Sequence, residues 1–367
     1  MAHVRDDVAL IDQLVLNNIE IIYIADIDQL ISQNIVEIST NPIRYTMADG
    51  MEFTRLQIVN DEMIDRLCAG AIYKPNRKIN YCDLSLSVQS TIGNLYCYTA
   101  DDYKTKLMEI KKHLWTTYGI LISIENATIK TIEINRTFLI NEPYPSYHRV
   151  LELMMHNLPK ELKNKMQIYN DKKDSNQNRT YYAGSSQSKQ RYTEIKIYDK
   201  SAQLSSKLQI NLSESYMRVE IRFSGSENIN RAFGTRYLSK ITDDMINLCY
   251  NKKMTRYFFN PYKRWLRSRN DYLIKLMQEQ RSIDIRHWQI NLLRTLSNEE
   301  ITNGFATLLD ITELLPLLKS KKLNLTPKRQ YEIKKNFQRH VKDYEIVFNQ
   351  KDNEKLNELL QKIGYKN

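Results

Sequence analysis

The sequence predicts an α+β protein, an antiparallel sheet core with packed helices followed by a helical C-terminal region. Three observations predict it. Segments with two-residue alternation of apolar and polar side chains gather between about residue 84 and residue 224. Amphipathic stretches with helical spacing and capping signals fall between them. From about residue 227 onward the spacing is helical throughout.

The elements follow in order. "EIIYIAD", "IVEIST" and "FTRLQIV" are short strands in an acidic opening section that holds four Arg and no Lys against twelve acids over residues 1–70. "LSLSVQ" (84–89) and "NLYCYT" (94–99) read as a hairpin about Gly93–Asn94. In "DDYKTKLMEIKKHLWTTYG", Tyr103, Leu107, Ile110, Leu114 and Tyr118 share a helical face, with acids at the start and Gly119 at the end. "ILISIE" and "IKTIEINRTFLI" are strands, and "YPSYHRVLELMMHNL" is a helix with Val150, Leu151, Met154 and Leu158 on its apolar side. A polar loop spans 170–180, and strands resume in "TYYAG", "RYTEIKIYDK" and "YMRVEIRFSG". In the helical remainder, "NP" at 260–261 and "LTPKR" at 325–329 read as helix starts.

At 367 residues the chain exceeds one ordinary domain. The expected organisation is an acidic section over 1–75, a sheet core over 76–270 and a helical region over 271–367. With 42% hydrophobic and 26% charged residues the composition is that of a globular protein rather than a disordered one. No apolar run is long enough to span a bilayer, and "MAHVRDDVALIDQ" lacks a signal core, so a cytoplasmic protein is expected. The four cysteines form no CxxC pair and read as small apolar residues rather than a zinc or disulfide framework.

The strands carry the functional signal, because successive side chains point to opposite faces. Ile132, Ile134 and Phe138 share one face and Glu133, Asn135 and Thr137 the other. Ile195 and Ile197 oppose Glu194, Lys196 and Tyr198, and Met217, Val219, Ile221 and Phe223 oppose Arg218, Glu220 and Arg222. A polar face of this kind is either a solvated antiparallel sheet or a working surface. As a working surface, Glu133 and Glu220 offer oxygen ligands to a hard divalent cation such as Mg2+ or Mn2+. Lys196, Lys200, Arg218 and Arg222 offer charge to phosphates. A cation so held polarises a phosphodiester for attack by water or a side chain. Thirteen of the 24 tyrosines lie between residues 144 and 272, and a tyrosine nucleophile would store the phosphodiester bond as a phosphotyrosine link.

"YYAGSSQSKQRYTEIKIYDKSAQL" followed by "YMRVEIRFSG" resembles the paired strands of plasmid and phage rolling-circle replication initiators, in the pattern of the trans-acting plasmid Rep family. The resemblance spans roughly residues 80–235 and implies an HUH/Rep-like sheet nuclease that nicks and rejoins an origin. On it, Glu133 and Glu220 match the family's acidic strand residues, and Tyr198 with Lys200 matches its "IYxK" pair. The His-hydrophobic-His metal motif of the broader superfamily does not occur among the six histidines, and the resemblance to the trans-acting branch implies a carboxylate version of the metal site. The family's tyrosine lies on the helix after "RVEI". Here Asn230 stands near that place, and the first tyrosines after it are Tyr237 and Tyr250. Tyr250, followed by Lys252 and Lys253 whose charges favour a phenolate, ranks above Tyr237, with Tyr257 and Tyr262 behind.

Two basic clusters suggest a polyanion partner. Residues 252–269 hold seven basic residues and no acid, among them Lys252, Lys253, Arg256, Lys263, Arg264 and Arg267, interleaved with aromatics suited either to base stacking or to a core. Residues 319–342 hold nine basic residues against one acid, including Lys321, Lys322, Lys328, Arg329, Lys334, Lys335 and Arg339, within a helix, basic turn and basic helix over 308–345 that suits either duplex DNA or an ordinary helical hairpin with a solvated basic face. The expected partners are origin duplex and single strand, a host helicase because no GxxxxGK[ST] loop occurs, and a second copy of the chain as a homodimer. Two other readings stay open, a conjugative relaxase and a non-catalytic DNA-binding protein on a degenerate Rep core.

Overall fold

The structure is a computed structural model, and it describes residues 8–39, 53–59, 61–72, 80–87, 97–163, 167–170, 179–185, 192–209, 211–264, 326–328, 331–332, 335 and 350–363. In chain order the elements are β1 (Leu10–Asn17), β2 (Glu20–Ile24), α1 (Ile27–Ser32), β3 (Val36–Ser39), β4 (Phe53–Val59), β5 (Arg66–Ile72), β6 (Asn80–Ser87) and α2 (Ala100–Tyr118). There follow β7 (Ile120–Ser123), β8 (Thr128–Ile140), α3 (His148–His156), α4 (Lys160–Lys163), β9 (Gln167–Asn170), β10 (Arg179–Gly184) and β11 (Tyr192–Asp199). The last are α5 (Lys200–Leu208), β12 (Ser215–Ser224), α6 (Ser226–Phe233), α7 (Asp243–Met254) and α8 (Gln350–Ile363). The protein is α+β with a large antiparallel sheet and packed helices, as expected.

The chain divides into two compact units, each discontinuous in sequence: 1–139 with 184–251, and 140–183 with 252–367. This differs from the three consecutive segments expected. The acidic opening section groups with the sheet core, because β1, β3, β4 and β5 enter the same sheet as β8 and β12. In the first unit the strands run β3-β4-β5-β6-β1-β8-β12-β11, while β2 and β7 form a separate antiparallel pair. β1, first in sequence, sits in the middle of the sheet between β6 and β8.

Alternation builds the core of this unit. Ile132, Ile134, Phe138, Ile195, Ile197, Met217, Val219, Ile221 and Phe223 are all buried. Each such side chain contributes roughly 1.5–3 kcal/mol. α2 begins in a capping box, with the Thr99 hydroxyl accepting from the Asp102 N–H and the Asp102 carboxylate accepting from the Thr99 N–H. It ends at Gly119, whose φ of 65° is left-handed and whose missing Cβ would otherwise meet the Ala25 Cβ at 2.8 Å. The hairpin expected at 84–99 is only partly described. β6 pairs with β5 and β1, Tyr98 makes an isolated bridge to Ile11, and Gly93–Asn94 lie outside the described residues.

In the second unit, β9 and β10 pair antiparallel. The helix expected from Tyr144 starts as a 3-10 turn, Tyr144–Tyr147, before α3. α8 is tied to the segment leading into α3. Glu358 accepts from the Tyr147 hydroxyl at 2.6 Å and from the Asn141 N–H at 2.8 Å, and Lys355 pairs with Glu142 at 2.9 Å. "NP" at 260–261 is not a helix start, because a π-helical turn, Thr255–Phe259, precedes it. Proline donates no N–H to the turn before it, and a widened turn absorbs the loss. "LTPKR" does carry helical residues at Pro327 and Lys328, while 265–325 lies outside the described residues.

Candidate functional site

The polar face of β1, β8, β12 and β11 forms a ladder of cross-strand rows. β11 and β12 set the register, with Glu194 opposite Arg222, Lys196 opposite Glu220 and Tyr198 opposite Arg218. The Gly225 N–H bonds the Lys130 carbonyl at 3.0 Å, and Arg218 Nε donates to Thr137 Oγ1 at 2.7 Å, so β8 runs alongside in step. Glu133 accordingly meets Arg222 at 3.3 Å. β1 adds a residue the sequence reading overlooked. Its pairing with β8 slips between Ile11 and Gln13, so Asp12 is the extra residue of a β-bulge and turns onto the polar face.

Asp12, Glu133 and Glu220 thereby place one carboxylate oxygen each within 4.8 Å of one another. Arg218, 0% exposed, organises them: its guanidinium bonds Asp12 Oδ1 at 3.1 Å and lies 3.9 Å from Glu220 Oε1. Cys97 donates its S–H to the same Asp12 oxygen at 3.3 Å, and Tyr103 donates to the Asp12 carbonyl at 3.0 Å. Tyr198 donates to Glu220 Oε1 at 2.5 Å, and Lys196 pairs with Glu220 Oε2 at 3.2 Å.

Burial pushes the Glu133 carboxyl up from 4.5 to about 7, Glu220 adds to the rise, and Arg222 opposes it. Burial also lowers Lys200 to about 8, helped by the charge of Arg218. It raises the Cys97 thiol to about 12, so Cys97 is a thiol at neutral pH, and burial and Glu220 hold the Tyr198 phenol well above its ordinary value.

The donor set fits a hard divalent cation. All three ligands are carboxylate oxygens, and among the described residues Asp12 Oδ2 and Glu133 Oε2 have no hydrogen-bond or ion-pair partner. Such an ion would be held by Asp12, Glu133 and Glu220, with Arg222 and Lys196 beside it.

The other expected site residues are placed as follows. Tyr250 is 0% exposed, its ring lies under the Arg136 guanidinium at 4.8 Å, and its hydroxyl has no partner. A hydroxyl so enclosed cannot meet a phosphodiester in this conformation, which corrects its rank as nucleophile. The lysines expected to acidify it are outweighed, because burial raises its phenol. Tyr237 is half-buried and bridges Thr128, with Arg236 and Lys240 over its ring. Thr128 lies five residues along β8 from Glu133, about 17 Å at 3.3–3.4 Å per residue, beyond the reach of a tyrosine side chain. Arg218, expected to hold phosphate, is fully buried and holds carboxylates instead. Lys200 is 7% exposed and donates to Gln203 Oε1 at 2.7 Å.

Of the first basic cluster, Lys252, Arg256, Lys263 and Arg264 are exposed, with Arg256 paired to Glu161 at 2.6 Å and Lys253 bonded to the Tyr257 hydroxyl at 3.1 Å. Tyr257, Phe258 and Phe259 are buried core rather than a stacking surface. Lys328 and Lys335 are exposed, whereas Arg267, Lys321, Lys322, Arg329, Lys334 and Arg339 lie outside the described residues. No helix among the described residues is long and apolar enough to cross a membrane.

No family model and no curated protein matches the chain. Among solved structures it is similar to a rolling circle replication initiator protein from Geobacillus stearothermophilus. The two are 9% identical, the match covers 68% of this chain and 84% of that chain, and the TM-score is 0.33.

Proposed function

We propose that this protein is a replication initiator of a plasmid or phage that nicks and rejoins one strand of origin DNA with a divalent metal ion. The observation that carries the reading is the Asp12–Glu133–Glu220 cluster, one carboxylate oxygen of each within 4.8 Å of the others, with the cation Arg222 beside it. A bound Mg2+ or Mn2+ would supply Lewis acidity toward a phosphodiester oxygen. The chain's own residues do the rest. Arg218 and Cys97 fix Asp12, Tyr198 fixes Glu220, and Arg222 and Lys196 draw the phosphate backbone to the face. Lys200, with its pKa lowered to about 8, can take or release a proton near neutral pH. Joining of a tyrosine to the 5′ phosphate keeps the bond energy for rejoining. Strand opening falls to a host helicase, the working form is a homodimer in the cytoplasm, and the basic segments at 252–269 and 319–342 grip origin DNA.

The test is incubation with supercoiled DNA of the replicon that encodes the chain, with and without Mn2+ or Mg2+. Open circles that require metal and vanish in Glu220→Gln support the reading. Equal nicking by that variant sinks it.

A second reading, a DNA-binding protein without catalysis, has its own observation. Each carboxylate of the cluster is already paired with Arg218, Arg222 or Lys196, so the face is partly neutralised without metal. Tight duplex binding with no Mn2+ bound at the cluster would favour it.

A further inference from the structure

We propose that Tyr192 is the nucleophile of the strand-transfer step and Glu194 its general base; the assignment rests on the nuclease reading above. By strand alternation, Tyr192, Tyr198 and Tyr216 are the described tyrosines of β11 and β12 on the polar face. Their hydroxyls differ. Tyr198 is 4% exposed and its hydroxyl donates a hydrogen bond to Glu220. Tyr216 sits six residues along β12 from Arg222, about 20 Å, whereas Tyr192 lies opposite Ser224, two residues from Arg222, and the Tyr216 hydroxyl turns away to Glu214. Tyr192 is half-buried, and its hydroxyl donates to Glu194, in the row that contains Arg222 and Glu133. Its row is the neighbour of that one, since Tyr192 lies opposite Ser224, and Ser224 Oγ is 3.1 Å from Thr131 Oγ1. A phosphate drawn to Arg222 therefore lies between the Tyr192 hydroxyl and the carboxylate cluster.

The surroundings hold this tyrosine in place. Asn228, on α6, donates to the Tyr192 carbonyl at 2.6 Å and to Thr193 Oγ1 at 3.0 Å, fixing the backbone from the helix side. Gly184 leaves room for the ring's outer end, because a Cβ there would meet the Tyr192 hydroxyl at 3.0 Å. The helix after β12 thus contributes an amide that positions the tyrosine, and the tyrosine itself comes from the strand before it. Burial, reinforced by Glu194, raises the Tyr192 phenol, with Arg222 opposing, so the residue is protonated at neutral pH and needs a base at the moment of attack.

In the step, the Tyr192 oxygen bonds to phosphorus while its proton passes to the Glu194 carboxylate. The bond from phosphorus to the 3′ oxygen breaks, and that oxygen leaves as a hydroxyl after taking a proton from water. Reversal of the step rejoins the strand and returns the proton to Tyr192.

The experiment uses the full chain, Mn2+ and the supercoiled replicon DNA, and reads the covalent protein–DNA adduct by tryptic mass spectrometry. Tyr192→Phe keeps the ring and is expected to lose the adduct, at least about 1000-fold, while Mn2+ binding and thermal melting stay near wild type. Glu194→Gln is expected to slow adduct formation by about 100-fold or more and to flatten its rise with pH. Tyr216→Phe, the control, leaves the adduct unchanged. An adduct that persists in Tyr192→Phe, or maps to another tyrosine, overturns the assignment and leaves the nuclease reading standing. Metal-dependent nicking by wild type with no adduct does the same, naming water as the attacker. A wild type that leaves the DNA intact with metal sinks the nuclease reading and this assignment together.

Discussion

Two buried carboxylate sites in the first unit are shifted in opposite directions. Asp61 lies on the loop before β5 and accepts from three donors: His113 Nε2 at 2.8 Å, the Tyr118 hydroxyl at 2.7 Å and the Met63 N–H at 2.8 Å. Burial alone would raise its carboxyl, but His113, Met63 and Tyr118 outweigh burial, and its pKa falls below the ordinary value. Burial raises the Glu133 carboxyl first, the acids Glu220 and Asp12 add to the rise, the cations Arg222 and Lys196 oppose it without outweighing it, and its pKa rises to about 7. The Asp61 site is satisfied by its own neighbours and works as a fastener between a loop and α2. At the Glu133 site each carboxylate has a cation beside it, but burial and the crowding of three acids leave Glu133 poorly compensated as an anion, and a divalent cation held there would offset that cost.

Several substitutions sharpen or break the contrast. The largest effect is expected at Glu220, the acid of the cluster that meets two cations, Lys196 and Arg218. Glu220→Gln should weaken Mn2+ binding, read by electron paramagnetic resonance, by more than about 100-fold. Unchanged Mn2+ affinity would show that the acidic face is only a salt-bridged surface.

The next effect concerns pH. Folded Glu133 keeps a proton up to about 7 that the unfolded chain releases near 4.5, so its contribution to stability falls as pH rises through that window and stays low above it. A shift of this size corresponds to up to roughly 3 kcal/mol. Glu133→Gln should therefore melt above wild type at pH 8 and close to it at pH 5. Added Mn2+ should raise the wild-type melting temperature at pH 8 and leave the variant where it was. A wild-type stability that does not decline between pH 5 and pH 7 would remove the strain inferred at this site.

Asp61 has the opposite sign. Its lowered pKa contributes stability that is present above its unfolded value of 3.8 and lost as pH falls through the folded value below it. Asp61→Asn should cost about 1–2 kcal/mol in urea unfolding at pH 7 and flatten the acid limb of the stability profile. The smallest effects belong to the exposed basic tail. Lys328→Gln and Lys335→Gln should each reduce the salt slope of DNA binding by about 0.9 if each neutralises one phosphate. An unchanged slope would take those two residues out of the DNA interface.

The sequence made part of this site readable and hid the rest for physical reasons. Glu133, Glu220, Lys196 and Tyr198 obey strict alternation, so their shared face follows from spacing alone. Asp12 does not, because a bulge shifts the pairing of β1 with β8, and a bulge leaves no period-two signature. Arg218 has the parity of a surface residue and is nonetheless fully buried, because Asp12 from β1 and Glu220 from its own strand keep its charge inside. Tyr250 did carry a warning. Ile246, Tyr250 and Met254 are spaced four apart on one side of α7, and all three are 0% exposed. The lysines that follow it drew attention to charge where spacing pointed to packing.

The central position of β1 bears on how the protein is made. The bond between Arg218 and Asp12 closes across 206 residues of chain. At about 5–20 residues per second of synthesis, Asp12 waits on the order of 10–40 seconds for that partner to be made. Glu133 arrives earlier with β8, but until β12 emerges β1 has neither the guanidinium nor the third carboxylate, Glu220, around it, and pairing over such separations is slow in any case. A nascent or prematurely ended chain therefore holds no assembled cation site. Any capacity to cut the DNA that encodes it arises only after most of the chain has been translated.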